Sequence, residues 1–96
     1  MKILTIDKLD DCFDGSLEFI GRFDKPWTRE TIRLLRLLGR LDYFPDFPRP
    51  FFRLVGKNGF QAKGVEGDST CRLILRRENK EEQLMEFKQL FAVDDG

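Results

Sequence analysis

Four arginines recur at a spacing that would gather them on one side of an α-helix. They are Arg29, Arg33, Arg36 and Arg40. An i, i+4, i+7, i+11 spacing keeps side chains within a sector roughly 60° wide on a helix. Guanidinium groups bind carboxylates and phosphates through a planar set of donors. This arginine stripe is a candidate partner-binding surface, and the alternative is an ordinary solvated helix face.

A second candidate surface is the segment 42–52, with the sequence DYFPDFPRPFF. Its three prolines restrict themselves and the residues before them to extended geometry. Phe44, Phe47 and Arg49 lie among these prolines. The segment is either a stiff connector whose rings close the end of the core, or an exposed aromatic loop. A pre-extended loop would bind a partner at little entropic cost.

Residues suited to catalysis or metal binding are few. The chain has no histidine, which removes the commonest general base and the commonest metal ligand. Cys12 and Cys71 cannot complete a four-ligand zinc site, and a buried, reduced thiol is the expected state of a cytoplasmic cysteine. The spacing of Asp10, Asp11 and Asp14 does not match a calcium loop. We therefore expect no enzyme activity, no metal and no cofactor.

Charge is balanced overall but unevenly distributed. The 17 basic and 17 acidic side chains give a net charge of zero. Residues 25–77 carry twelve basic and five acidic side chains, residues 1–24 carry three and six, and residues 78–96 carry two and six. A basic centre between acidic ends either pairs internally or leaves one basic surface for a partner. The overall neutrality disfavours nucleic-acid binding.

Length and hydropathy indicate one soluble globular domain spanning residues 1–96. Apolar residues make up 41% and charged residues 35% of the chain, as in ordinary globular proteins. No apolar run approaches the roughly 20 residues of a membrane span, and the N-terminus lacks a secretory apolar core. We expect a cytoplasmic protein with no membrane partner.

The elements that must position these residues follow from hydrophobic periodicity. Thr28 to Leu41 predicts one long amphipathic helix capped by Thr28, and Asn79 to Ala92 predicts a second helix with an acidic start. Alternation and turn signals, among them Asn58-Gly59, predict the strands. The predicted strands are 2–9, 16–23, 51–56, 60–65 and 70–77.

This order, β-β-α-β-β-β-α, predicts an α+β two-layer sandwich. An antiparallel sheet of about five strands would carry both helices on one face, with Glu81, Glu82 and Glu86 pairing with the arginine stripe. The other sheet face would mix arginines with aliphatic side chains. Such a face is suited to binding a flexible segment or to homodimerisation.

The leading functional hypothesis is a small non-catalytic interaction or regulatory module that binds a protein partner or a second copy of itself. Its contacts would be the arginine-bearing surfaces or the aromatic–proline loop. One alternative is RNA binding, because residues 28–92 predict the α-β-β-β-α order of double-stranded RNA-binding domains. The last helix lacks the basic start of those domains. Another alternative is a small-ligand sensor lined by some of the ten phenylalanines.

Overall fold

A computed structural model, which describes residues 1–11, 15–57 and 59–92, contains one antiparallel sheet and two helices. The strands are β1 (Ile3–Asp11), β2 (Leu17–Phe23), β3 (Gly39–Phe44), β4 (Phe51–Gly56), β5 (Gln61–Val65) and β6 (Thr70–Leu75). Helix α1 (Arg29–Leu34) continues into a 3-10 turn (Leu35–Leu37), and helix α2 spans Lys80–Ala92. The spatial strand order is β1-β2-β6-β5-β4-β3.

The α+β class with helices on one face of an antiparallel sheet is confirmed, but the described residues form six strands, not about five. The element order is β-β-α-β-β-β-β-α. From α1 onward it reads α-β-β-β-β-α, so the element order that suggested a double-stranded RNA-binding domain is not present. The extra strand is β3, which occupies one edge of the sheet beside β4.

The predicted helix Thr28–Leu41 is wrong in its second half. Thr28 does cap α1, since its side chain accepts a hydrogen bond from the Thr31 amide. The α-helix ends at Leu34, however, and residues 39–44 pair with β4. Gly39 lies opposite Gly56, so close that an added Cβ would overlap the Val55 carbonyl oxygen. Strand pairing here overrides a leucine-rich helical pattern.

The core lies between the sheet and the helices. Trp27, Phe52, Phe60 and Phe87 are among its fully buried members, and Trp27 donates its indole N–H to the Thr70 carbonyl at 3.0 Å. Alternate residues of β4 and β6 are buried, which agrees with the alternation that predicted these strands. Because α1 is only six residues long, the leucines that the long helix would have buried divide between core and surface. Leu35 is fully buried, whereas Leu34 and Leu37 are exposed.

Gln83 joins the end of β6 to α2. It is a buried polar residue of the core, and its side-chain amide accepts from the Arg76 amide at 3.0 Å and donates to the Arg76 carbonyl at 3.3 Å. These two bonds satisfy the amide of Gln83. They fix the start of α2 against the sheet, which places Phe87 and Phe91 over the core.

The turns of two hairpins, β1–β2 and β4–β5, lie partly outside the described residues. The β1–β2 hairpin is confirmed, but Cys12 and Asp14 lie outside the described residues. Asn58 of the β4–β5 turn also does, although Gly59 has the positive φ of +90° that such a turn requires. The β4–β5 register is unbroken at Gly64, so no β-bulge forms there. Gly64 instead leaves room for the Phe52 ring, which a Cβ would approach to 2.6 Å.

Among the described residues, no helix is both long and apolar enough to cross a membrane.

Candidate functional site: the helix-free face of the sheet

In the part of the chain that the structure describes, one face of the sheet carries neither α1 nor α2. On each strand, side chains alternate between the core and this opposite surface, which we call the helix-free face. The buried residues of β4, β5 and β6 point to the core, so Arg53, Lys63 and Arg72 point to the helix-free face. The strand register sets Arg53 opposite Lys63 and Lys63 opposite Arg72. We call these three cations, which run straight across the middle strands, the central row.

The two ends of the central row are paired with carboxylates. Arg53 lies 3.3 Å from an oxygen of Asp42, and Arg72 lies 2.9 Å from an oxygen of Glu18. Asp42 is the cross-strand neighbour of Arg53 on β3. The side chain of Lys63 makes no ion pair or hydrogen bond with the described part of the chain, so Lys63 is the unpaired cation at the centre of the row.

The central row sets like charges directly opposite each other, although Asp42 and Glu18 offset the charges of Arg53 and Arg72. Like charges directly opposite on neighbouring strands destabilise a sheet, and each opposed pair is of the order of a few tenths of a kcal/mol. Lys63 has such a neighbour on both sides. A threonine or glutamine at position 63 would avoid the repulsion. A side chain that the fold itself disfavours is a candidate for a role in binding.

A shallow hollow of about 430 Å³ adjoins the central row. Lys63 and Arg72 supply its cationic wall, while Ile20, Phe51 and Val65 supply apolar surface. Thr70 and Asp68 also line it. Mostly apolar walls with a few polar groups are the usual composition of a binding site, although this hollow is open to solvent.

Aromatic rings cover one corner of the same face. Phe44 and Phe51, cross-strand neighbours on β3 and β4, stack with ring centroids 4.7 Å apart. Phe47, from the loop between those strands, packs against Phe51 at 5.1 Å and remains 52% exposed. We call Phe44, Phe47 and Phe51 the aromatic corner. The aromatic corner lies on the face opposite the core, so these three rings do not close the end of the core, and binding of a partner by the segment 42–52 stays a prediction.

Arg49 connects the loop between β3 and β4 to the turn between β5 and β6. Its guanidinium donates to an oxygen of Asp68 at 2.7 Å. Asp68 belongs to the β5–β6 turn and lines the hollow. The predicted contact residues Phe44, Phe47 and Arg49 therefore lie beside the hollow.

The arginine stripe is divided between the two layers. Arg40 lies on β3, opposite Val55, on the helix-free face and 3.7 Å from Asp42. Arg33 and Arg36 are exposed on α1 and the 3-10 turn. Because the helix ends early, Arg40 does not share one helix face with Arg33 and Arg36, and the prediction of four arginines along a single helix is wrong.

Arg29 is engaged within the fold. Its hydrogen bond to Tyr43, with the nearby charge of Glu66, raises its pKa above the usual value. The Tyr43 hydroxyl in turn donates to Glu66. Tyr43 lies opposite Phe52 on the core-facing side of β3. The predicted pairing with the acidic helix is therefore not the arrangement found for Arg29, which connects α1 to β3 instead.

Cys71 is unsuited to nucleophilic chemistry. It is buried, as expected, and this burial raises the pKa of its thiol to about 12, so the sulfur stays protonated. Among the described residues, no three acidic, cysteine or histidine side chains are grouped so that they could hold a metal ion.

The sequence did not predict that the three cations of the central row lie directly opposite one another. Alternation with buried neighbours places Arg53, Lys63 and Arg72 on one face, and that much is visible in the sequence. Their direct opposition depends on the register of two hairpins, which a shift of one residue would change.

Comparison with protein-family models, with curated proteins and with solved structures found no match.

Proposed function

We propose that this protein is a small interaction module that binds a protein partner through the helix-free face of its sheet. The observation that carries the proposal is Lys63, a cation between two arginines whose side chain is unpaired among the described residues, on the face of the sheet opposite α1 and α2. A partner carboxylate placed there would relieve the repulsion within the central row. Binding would thus recover stability that the free chain lacks.

The aromatic corner supports a protein partner in particular. Exposed aromatic rings beside arginines are enriched in protein interfaces, where they supply contact area at low entropic cost. Phe47 is the exposed ring here, and Arg40 lies on the same face. The partner surface would extend from the central row toward this corner.

A second copy of the chain is a poorer occupant of this face. A two-fold symmetric dimer brings identical patches together, so the central rows of the two copies would meet. Lys63 and Arg72 would then face cations of the other copy. Charge therefore favours a different protein over homodimerisation through the helix-free face.

Affinity capture from the lysate of the source cells tests the proposal. The bait variants are Lys63→Glu on the helix-free face and Lys88→Glu on the exposed side of α2, which is the matched control. We expect partners retained by the wild type and by Lys88→Glu to be lost from Lys63→Glu. If Lys63→Glu retains every partner, the helix-free face is ordinary surface.

A double variant, Arg33→Gln with Arg36→Gln, separates this surface from the rest of the arginine stripe. Both side chains are exposed in the helical layer. We expect the double variant to retain the partners. Loss of partners there, with retention by Lys63→Glu, would move the interface to α1.

A further inference from the structure

We propose, on the basis of the proposed function, that the partner docks through a short acidic segment in which a carboxylate adjoins an apolar side chain. The carboxylate binds in the hollow between Lys63 and Arg72, and the apolar side chain packs against Phe51, Val65 and Ile20.

Both cations of the hollow have donors to offer. The ammonium of Lys63 has three, and none is used within the described part of the chain. The guanidinium of Arg72 has five, and the contact with Glu18 is made through Nη1. A carboxylate above the β5–β6 pair would therefore receive charge-assisted hydrogen bonds from two strands at once.

Glu18 and Asp42 position the cations and also limit the ligand. They hold Arg72 and Arg53 at opposite ends of the central row. Together with Asp68 at the rim of the hollow, they surround the cations with negative charge. One carboxylate fits between these acids, whereas a continuous chain of phosphates would meet repulsion on both sides.

The apolar part of the hollow suits an aliphatic or aromatic side chain of a peptide. Ile20 and Val65 are half-buried, so their exposed surface is available for contact. Phe51 already stacks on Phe44, with an angle of 24° between the rings. Phe47 also packs against Phe51, so two neighbouring rings already occupy surface of Phe51 that a stacking base of single-stranded RNA would use.

Fluorescence anisotropy with synthetic probes tests the assignment. The first probe is a labelled peptide of alternating glutamate and leucine, and the second replaces each glutamate with glutamine. The third probe is labelled polyuridylate RNA. We expect the glutamate peptide to bind the wild-type chain about tenfold more tightly than the glutamine peptide.

Variants make the test specific to the hollow. We expect Lys63→Glu to weaken binding of the glutamate peptide at least about tenfold, because it places a like charge at the site. Lys63→Arg should restore most of the affinity, and Lys88→Glu should leave it unchanged. The unfolding midpoint of each variant is measured alongside, so that a folding defect is recognised.

Several outcomes overturn the assignment. They are equal affinity for the glutamate and glutamine peptides, no binding of the glutamate peptide, or preferential binding of polyuridylate. If these occur while lysate capture still depends on Lys63, the acidic-segment assignment fails and the interaction module stands. If capture is also independent of Lys63, the proposed function fails with it.

Discussion

Lys63 is repelled by the like charges on the neighbouring strands, and its unpaired ammonium is available to bind a partner. It lies between Arg53 and Arg72 with no partner of its own among the described residues. Replacing it with glutamate would convert two repulsions into two attractions across neighbouring strands. We expect Lys63→Glu to raise the free energy of unfolding by about 0.2–1 kcal/mol, measured by urea denaturation.

The control for that measurement is Lys88→Glu, which makes the same charge change on the exposed surface of α2. It should alter the free energy of unfolding by less than about 0.5 kcal/mol. A lower stability of Lys63→Glu than of wild type would show that Lys63 is not repelled by its neighbours. The stability argument for a binding role would then be lost.

Cys71 should make stability depend on pH in the alkaline range. Its thiol has a pKa of about 12 in the fold, against 9.0 for the ordinary group. Below pH 9 both states are protonated and this residue contributes no pH dependence. Between pH 9 and 12 the unfolded chain releases the proton and the folded chain keeps it, so stability falls by up to about 1.4 kcal/mol per pH unit.

Urea denaturation of wild type and Cys71→Ala at pH 8 and pH 10 isolates this effect, since the cavity in the variant is the same at both pH values. We expect the stability gap between the two proteins to be smaller at pH 10. A gap that does not change with pH would mean that the thiol is not shielded from solvent.

At the scale of elements, Gly39 distinguishes the helix that periodicity predicts from the strand that the structure contains. In a helix interior, Gly39→Ala would stabilise the chain by up to about 1 kcal/mol. On β3, the new Cβ would overlap the Val55 carbonyl oxygen. We expect Gly39→Ala to destabilise the fold by about 1–3 kcal/mol, measured by thermal unfolding.

A suitable control is Gly21→Ala on β2, where an added Cβ would meet its nearest neighbour, the Cys71 sulfur, at an ordinary 3.6 Å. This variant should be tolerated better than Gly39→Ala. If Gly39→Ala is the more stable of the two, residues 39–44 do not pair with β4 as described.

The same element shows what sequence patterns can and cannot predict. The strands β4, β5 and β6 follow from local alternation and from the turns between them, so their prediction needed no distant contacts. Residues 39–44 continue a leucine pattern typical of a helix. Their strand conformation depends on pairing with β4, whose partner residues lie from 7 (Phe44 to Phe51) to 17 (Gly39 to Gly56) positions away along the chain, and on the close approach of Gly39 to Gly56. Non-local pairing of this kind leaves little local signal.

The residues of the candidate site, likewise, could be predicted only where they are close together in the sequence. The aromatic corner could be anticipated, because the prolines and phenylalanines of residues 44–51 are contiguous in sequence. The arginine stripe was predicted as one surface, and it was divided when the helix ended early. The central row emerged only with the strand register, since its members come from three separate strands.

The molecule as a whole has two chemically different layers. The helical layer buries most of the large aromatic side chains, with Trp27, Phe52, Phe60 and Phe87 fully enclosed. The helix-free face combines cations, aliphatic side chains and the aromatic corner. A net charge of zero therefore conceals a local excess of positive charge at the middle of one face. This local charge, and not the total, carries the proposed recognition.

The most direct test is a methyl NMR titration of the isotopically labelled chain with a partner obtained by capture. Ile20, Val65 and Ile74 report on the helix-free face, while Leu34 and Leu37 report on the exposed side of the helical layer. We expect the partner to shift or broaden the first three methyl signals and to leave the two leucines unchanged. Changes confined to Leu34 and Leu37 would contradict the central claim, because the partner would then bind the layer opposite Lys63.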